Sequence, residues 1–311
     1  MDILWNLILV IAGFVLLVKG ADFFVDGAAS VATKFGIPQI VVGLTIVAMG
    51  TSAPEAAVSI GSAIKGSNGI SIGNVLGSNI FNILIVLGVT ACICTLHVKK
   101  SVVRIDLPVM IGVSILLLVL GMVKPELNYI TGILFWAILI VYIIYLIIYA
   151  KKSDETEEEE YKILSPIKIV LYIFGGIAAI VLGSDVAVDG ATAIAKLLGV
   201  SDRIIGLTIV AFGTSLPELM TSITAARKGN ADLAVGNVVG SNLFNILFVL
   251  GTTCLIQTVT FSASFLFDGI LSVVAAVLLW FLVFKKGELK RFGGILMLLI
   301  YAAYLVYLLV A

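Results

Sequence analysis

The sequence contains little of what metal-dependent or nucleophilic enzymes most often use. Its 311 residues include one histidine and three cysteines. The cysteines form no CxxC pair and lie in apolar runs, which is typical of small buried side chains rather than disulfides or metal ligands. The histidine, His97, stands close to Lys99 and Lys100 and is interpreted as a surface residue. A hydrolase would lack the base that its nucleophile needs, so we expect the protein not to be an enzyme.

Charged residues are scarce as well. They make up 12% of the chain against 61% hydrophobic residues, and the mean hydropathy is +1.20. Basic and acidic residues each number 19, so the formal net charge is zero and indicates no nucleic-acid partner. This composition predicts an all-α polytopic membrane protein in the lipid bilayer, and it indicates no cofactor and no obligatory protein partner.

Apolar runs of about 20 residues, the length that spans a bilayer as a helix, predict ten transmembrane helices. They fall into two sets of five, with the first repeat at residues 1–150 and the second at residues 166–311. An acidic linker at residues 151–165 joins them and is typical of a solvated segment. The predicted spans lie near residues 3–30, 39–64, 70–95, 104–122, 127–150, 166–195, 202–226, 232–257, 264–284 and 291–310.

One motif occurs in both halves. Gly-Thr-Ser-Ala-Pro-Glu at residues 50–55 returns as Gly-Thr-Ser-Leu-Pro-Glu at residues 213–218, and Glu218 minus Glu55 gives an offset of 163. The same offset aligns residues 43–88 with residues 206–251 without a gap, and 29 of the 46 pairs are identical. An acid inside a membrane span is costly and by default marks an ion path. Duplication with all its polar neighbours disfavours the alternative of a structural ion pair or a buried neutral acid.

Basic residues indicate the orientation of the spans. Fourteen of the lysines and arginines near span ends fall on the side of the linker, and four fall on the opposite side. Because cytoplasmic loops carry the basic excess, residues 151–165 are predicted to be cytoplasmic and both termini outside, in a cell membrane. Five spans per half is an odd number, so the two repeats enter the membrane in opposite directions and form an inverted repeat.

The motif combines a helix-breaking proline with polar side chains. Pro54 lacks the amide that would bond the carbonyl of Gly50, and Pro217 does the same at Gly213, so these carbonyls need other partners. A threonine, a serine and the glutamate share one helix face in each copy. The next span carries an Asn–Ser–Asn stripe with two glycines that permit close packing, although the stripe alone fits a packing seam equally well. These stripes are Asn74, Ser78 and Asn82 with Gly73 and Gly77, and Asn237, Ser241 and Asn245 with Gly236 and Gly240.

The second, third, seventh and eighth spans, which carry these interruptions, occupy matching places in the two halves and predict broken helices around a central site. All candidate ligands there are oxygen atoms, which favour hard cations: calcium, sodium, magnesium or manganese. Calcium takes about 6–8 oxygens and magnesium retains water in a small rigid site, so a dehydrated site suits calcium better. Two glutamates carry two negative charges, which one divalent or two monovalent ions neutralise, as an antiporter requires.

Other acids lie nearer the span ends. Asp22 and Asp26 in the first span, and Asp185 with Asp189 in the sixth, are spaced four residues apart on one helix face. A solvated or capping role is at least as consistent with their positions as a role in transport. Asp106 and Asp268 begin spans, where the helix dipole favours an N-terminal acid.

The duplicated pattern Gly-Thr-Ser-X-Pro-Glu, followed by Gly-Asn-Val-X-Gly-Ser-Asn-X-Phe-Asn, resembles the paired α-repeats of the sodium/calcium exchanger family, within the cation/calcium antiporter superfamily. The resemblance covers nearly the whole chain and points to prokaryotic members. It implies that the first and sixth spans slide across the remaining bundle. It implies that Glu55 and Glu218 are the calcium ligands and that Thr51 and Thr214 assist with their backbone carbonyls. The implied sodium ligands are Ser52, Ser78, Ser215 and Ser241 with the carbonyls of Ala48 and Ala211. Asn82 and Asn245 are implied to face the ions.

The leading hypothesis is secondary antiport of calcium against sodium by alternating access, with these ions as the only small-molecule partners. Calcium/proton exchange is the alternative, because a buried glutamate is able to carry a proton. Potassium-coupled exchange is a third variant. A cation channel is disfavoured, because no pore-loop filter is evident and a channel does not need two inverted halves.

The orientation is testable without a structure. A single cysteine introduced as Ser153→Cys, in a background without the native cysteines, should react with a membrane-impermeant thiol reagent only from the cytoplasmic side. Labelling in intact cells would reverse the orientation predicted from the 14-to-4 distribution of basic residues.

Overall fold

The computed structural model describes residues 3–64, 68–152, 164–199 and 211–310. Most of these residues are helical. The first half contains α1 (Ile3–Phe35), α2 (Gln39–Thr51), α3 (Ala53–Ile64), α4 (Asn68–Phe81, Asn82–Leu87 and Gly88–Ile93), α5 (Val102–Asp106 and Leu107–Val123) and α6 (Tyr129–Lys152). The second half contains α7 (Pro166–Leu197), α8 (Ala211–Thr214), α9 (Leu216–Arg227), α10 (Ala231–Phe244, Asn245–Leu250 and Gly251–Ile256), α11 (Leu266–Phe284) and α12 (Arg291–Val310).

The prediction of a multi-pass helical membrane protein is confirmed. Eight helices within the described residues are long and apolar enough to cross a membrane, and α2 with α3 forms a ninth span that is bent by 50°. The seventh predicted span, residues 202–226, begins in a segment outside the described residues. The count of ten spans therefore stays a prediction, as do the proposed boundaries of the halves and the linker, of which residues 153–163 lie outside the described part.

The breaks occur where the prolines predict them. Helix α2 ends at Thr51 and α3 begins at Ala53, and α8 and α9 flank Ser215 in the same way. The following spans, α4 and α10, are not broken. Their residues Asn82–Leu87 and Asn245–Leu250 are wound as π-helix, so the chain continues through the site. Residues Gly43–Val47 of α2 and Val102–Asp106 of α5 are π-helical as well.

Four two-residue strands tie loops of one half to loops of the other. Leu96–His97 (β1) pairs antiparallel with Glu288–Leu289 (β4), and Glu126–Leu127 (β2) pairs antiparallel with Val259–Thr260 (β3). β1 and β4 belong to loops that the charge distribution assigns to the side of the linker. β2 and β3 belong to loops assigned to the opposite side, so both pairings agree with the alternation of spans.

The long helices α1 and α7 pack against each other through glycines. Gly13, Gly20 and Gly27 recur every seven residues, and the same 163 offset places Gly176, Gly183 and Gly190 on the partner helix. A Cβ at Gly20 would lie 2.8 Å from the backbone nitrogen of Ile180, and one at Gly176 would lie 2.8 Å from that of Phe24. The two backbones therefore approach as closely as small-residue interfaces in membranes allow.

Asp106 and Asp268 lie at helix starts as expected, and each also has a tyrosine partner that the sequence did not predict. Asp106 is buried, shows no side-chain cap bond to the helix that follows, and accepts a hydrogen bond of 2.8 Å from the hydroxyl of Tyr142. Asp268 does lie in the first turn of α11, but it accepts a hydrogen bond of 2.9 Å from Tyr304. Both aspartates thus join neighbouring helices, because a buried acid in a membrane needs a donor more than a helix dipole.

The glycine seam gives a matched pair of variants. Gly176→Leu should destabilise the purified protein by about 1–3 kcal/mol, because its side chain must displace the backbone of α1. Gly175→Leu makes the same change one residue earlier, where a Cβ meets nothing within 4 Å among the described atoms. The apparent melting temperature in detergent should fall for Gly176→Leu alone. Equal melting temperatures for the two variants would contradict the close approach of α1 and α7.

Candidate functional site

The two broken spans bring both copies of the motif to the centre of the bundle. Pro54 and Pro217 occupy the second position of α3 and α9, where an amide donor is not required and proline is well tolerated. The carbonyl of Gly213, which Pro217 leaves without its helical donor, accepts a hydrogen bond of 2.6 Å from Ser184 of α7. This contact fulfils the expectation that such a carbonyl finds another partner.

The serines of the motif serve the carboxylate of the opposite half. Ser52 donates to Glu218 Oε1 at 2.8 Å, and Ser215 donates to Glu55 Oε1 at 3.2 Å. Ser78 of α4 also donates to Glu55 Oε1, at 3.4 Å. All five side chains are buried, so the halves meet through hydrogen bonds to two carboxylates that have no contact with solvent. The site is therefore shared by the two repeats.

The second oxygen of each carboxylate differs from the first in its hydrogen bonding. Glu55 Oε2 and Glu218 Oε2 are buried and have no hydrogen-bond partner within the described residues. The same holds for the side-chain oxygens of Asn82 and Asn245, which are both 0% exposed. Buried oxygens without a partner are costly, and carboxylate and amide oxygens are the ligands that calcium and sodium prefer. The arrangement is suited to binding a dehydrated hard cation.

Asparagines of the stripe hold the backbone of the glutamates. Asn74 Nδ2 donates to the carbonyl of Glu55 at 3.1 Å, and Asn237 Nδ2 donates to the carbonyl of Glu218 at 3.3 Å. The same amides donate at 2.9 Å to the hydroxyls of Ser59 and Ser222, one in each half. These contacts position the glutamates, and they explain why the stripe continues beyond the residues expected to touch an ion.

The hydroxyl of Thr51 is bonded to a side chain of the other half. It donates to Asn237 Oδ1 at 2.9 Å, lies 3.5 Å from Ser241 Oγ and is 3.3 Å from the carbonyl of Ala48. Ser241 lies 3.5 Å from that same carbonyl, so the carbonyl of Ala48 lies beside the hydroxyls of Thr51 and Ser241. Thr214 is half-buried and makes no side-chain hydrogen bond within the described part of the chain. Ala211 opens α8, directly after the segment that is not described.

A contact at the boundary between the halves was not predicted. Asn79 Nδ2 donates to the carbonyl of Asn242 at 3.2 Å, and Asn242 Nδ2 donates to the carbonyl of Asn79 at 3.3 Å. Asn245 Nδ2 adds a bond of 3.1 Å to Asn79 Oδ1. Asn79 and Asn242 are 163 residues apart, so each contacts its equivalent in the other repeat. Their contact therefore marks the pseudo-twofold axis. The 163-residue offset between Asn79 and Asn242 was the feature of the sequence from which this contact could have been predicted.

The glycines beside the stripe behave differently in the two halves. A Cβ at Gly240 would lie 2.6 Å from the carbonyl oxygen of Leu44, and one at Gly236 would lie 3.0 Å from the Cα of Gly43, which confirms the predicted close approach of α10 and α2. At Gly73 a Cβ would meet only the Phe265 ring at 3.4 Å, and at Gly77 it would meet no described atom within 4 Å. The repeat equivalent of residues 40–47 lies at residues 203–210, outside the described part.

The acids of the long helices lie apart from the glutamates. Lys228 contacts Asp26 at 2.7 Å and Asp22 at 3.5 Å, and the aspartate side chains are 44% and 37% exposed. Asp185 and Asp189 of α7 are exposed as well. The solvated interpretation of these four acids is therefore favoured, and in the first half they tie α1 to the end of α9 through Lys228.

Comparison with known proteins identifies the class. The family described as sodium/calcium exchanger protein matches residues 5–148 and 168–310, which is most of the chain. The chain therefore belongs to the sodium/calcium exchanger family. It is a cation/calcium antiporter rather than an enzyme, and the ions it moves are its substrates rather than cofactors.

Individual relatives agree with this assignment. The sodium/calcium exchanger MaX1 of Methanosarcina acetivorans is 33% identical over 97% of this chain and 98% of its own length. The inner membrane protein YrbG of Escherichia coli is 34% identical over 88% of each chain. Among solved structures, the sodium-calcium exchanger NCX_Mj soaked with sodium and strontium superposes with a TM-score of 0.85 at 32% identity, covering 98% of this chain and 99% of that one.

The geometry ranks the candidate ligands. Glu55→Gln and Glu218→Gln each remove one buried charge while keeping the shape, so calcium binding to the purified protein should fall by more than about 100-fold in either variant. Asn82→Ala and Asn245→Ala remove a neutral dipole, roughly 1–3 kcal/mol each, and should weaken binding less. Glu126→Gln, an exposed glutamate in β2, is the matched control and should bind calcium normally. Retained binding in Glu55→Gln together with loss in Asn82→Ala would show that the site is misassigned.

Proposed function

We propose that this protein exchanges calcium for sodium by alternating access, and that Glu55 and Glu218 bind one calcium ion between them. The observation that carries this proposal is the pair of crossed hydrogen bonds, from Ser52 to Glu218 and from Ser215 to Glu55. They hold one oxygen of each carboxylate and leave the other oxygen available for an ion.

The charge of the site supports exchange rather than one-way passage. Two carboxylates buried in a membrane are expensive unless a cation accompanies them. One calcium ion or two sodium ions neutralise this charge equally well. A transporter whose site is costly without an ion crosses between its two states only when loaded, which couples the movement of one ion to that of the other.

The sodium ligands follow from the neighbours of the carboxylates. The hydroxyl oxygen of Ser215 lies 3.4 Å from that of Ser78, and Ser241 lies 3.5 Å from the carbonyl of Ala48. Hydroxyl and carbonyl oxygens with little charge suit a monovalent ion beside a carboxylate. We assign sodium to the hydroxyls of Ser52, Ser78, Ser215 and Ser241 with the carbonyls of Ala48 and Ala211. The backbone carbonyls of Thr51 and Thr214 assist in binding calcium, and Asn82 and Asn245 face the ion cluster. The names of MaX1 as a sodium/calcium exchanger and of NCX_Mj as a sodium-calcium exchanger favour the same coupling ion.

The alternating movement is assigned to α1 and α7. These helices pack on each other through the glycine seam, and α1 is tied to the end of α9 by the contacts of Asp22 and Asp26 with Lys228. In this proposal both termini lie outside the cell membrane and residues 151–165 in the cytoplasm, between repeats at residues 1–150 and 166–311. Lys228 and the acids of α1 then lie on the cytoplasmic side.

Proton coupling is the second candidate, because fully buried carboxylates are able to carry protons. It differs from sodium coupling in what the serines do. A proton exchanger needs only the carboxylates, whereas sodium needs the surrounding hydroxyl oxygens. Potassium coupling is separated from both by replacing sodium with potassium in the same assay.

The test is calcium uptake into proteoliposomes with pH clamped equally on both sides. Vesicles loaded with sodium and diluted into sodium-free buffer should take up calcium, and the rate should respond to membrane potential if three or more sodium ions exchange for each calcium ion. Ser78→Ala and Ser241→Ala should raise the sodium requirement several-fold more than the calcium requirement. Ser114→Ala, which removes a buried hydroxyl bonded within its own helix, is the control. Full calcium uptake without a sodium gradient, driven instead by a proton gradient, would show that the protein exchanges calcium for protons.

A further inference from the structure

A basic cleft opens on the face that carries β1 and β4, away from the glutamates. It has a volume of about 990 Å³. Its walls come from three places: the loop between α4 and α5, the start of α10, and the end of α11. Five cationic side chains and a single acid line it, namely Lys99, Lys100, Arg104, Lys285, Lys286 and Asp232.

Among the described residues, the cations that line the cleft outnumber the acids beside them. Asp232 pairs with Lys99 at 3.0 Å. The nearby Glu288 is engaged by Lys290 at 3.0 Å, and this bond is the main reason that its pKa lies below the ordinary value. Lys100, Arg104, Lys285 and Lys286 form no ion pair within the described part of the chain. An anion bound in the cleft would be attracted by these four cationic side chains, of which Lys286 also attracts Glu288.

The cleft continues into an apolar crevice. A second cavity of about 360 Å³ shares Phe284, Lys285 and Lys286 with it and extends between α11 and α12. Phe281 and Phe292 line this crevice and are 71% and 77% exposed, as side chains at a lipid-facing surface are. A soluble anion would use only the cleft, whereas a molecule with a charged head and an apolar tail would fill both cavities.

From these two cavities we infer that the protein binds an anionic phospholipid. The phosphate headgroup lies among Lys100, Arg104, Lys285 and Lys286, and an acyl chain lies along the crevice beside Phe281 and Phe292. Both cavities are lined by the end of α11, which is long and apolar enough to span a membrane, and basic residues at such a helix end attract anionic headgroups. Because α10 begins at the cleft and carries Asn237 and Ser241, the lipid joins the ends of α5 and α11 to the helix that supports Glu218.

The experiment is direct binding of dioleoyl-phosphatidylglycerol to the delipidated, detergent-purified full chain by native mass spectrometry, with dioleoyl-phosphatidylcholine for comparison. The wild type should bind the anionic lipid at least about tenfold more tightly. Neutralising Lys100, Arg104, Lys285 and Lys286 to glutamine should remove this preference. The control neutralises Lys34, Lys151, Lys152 and Lys168, which make the same change in net charge on the same predicted side but do not line either cavity. The control should keep the preference within about twofold.

Two further measurements separate the lipid from a free phosphate compound. Phe281→Ala with Phe292→Ala shortens the crevice walls and should weaken lipid binding several-fold while leaving the cleft cations in place. Millimolar inorganic phosphate should not displace the lipid. If the fourfold cleft variant does not fold, the single variants Arg104→Gln and Lys285→Gln replace it, each with a several-fold loss. Equal loss in the cleft and control sets, or full displacement by inorganic phosphate, would overturn the inference.

Discussion

The structure depends on two carboxylates that are held together, without solvent, in the middle of a membrane protein. Glu55 and Glu218 are 0% exposed, and each accepts a hydrogen bond from a serine hydroxyl of the other half of the chain. The cost of burying two like charges explains the surrounding features. The prolines break the helices so that serine hydroxyls reach across, asparagines fix the glutamate backbones, and glycines in α10 let the supporting helix approach α2.

Both halves of the inverted repeat hold a buried carboxylate, but their contacts are not identical. Asn79 and Asn242 exchange the same pair of hydrogen bonds across the pseudo-twofold axis. Elsewhere the halves differ: Ser184 donates to the carbonyl of Gly213, whereas the equivalent position in α1 is Ala21, which has no hydroxyl to offer Gly50. This difference falls where α1 and α7 meet the broken spans.

The broken helices and the meeting of the two motifs were largely predictable because the signal is local in the sequence. A proline, an acid and two hydroxyls within six residues, repeated at a fixed offset, indicate a broken helix and an oxygen-rich site without any knowledge of packing. Contacts that depend on helix rotation were not predictable in the same way. Tyr142 lies 36 residues from Asp106, so hydropathy indicated a helix-start acid where the structure has an interhelical bond. The seven-residue glycine spacing of α1 and α7 was visible in the sequence, but only the structure shows which backbone each glycine meets.

The most direct test of a shared calcium site is anomalous diffraction from crystals of this protein soaked with strontium, which scatters strongly and resembles calcium. The account predicts one strong peak within coordination distance of oxygens from both Glu55 and Glu218, and this peak should weaken as the sodium concentration of the soak is raised. A peak bound to one half alone, or one that sodium leaves unchanged, would contradict it.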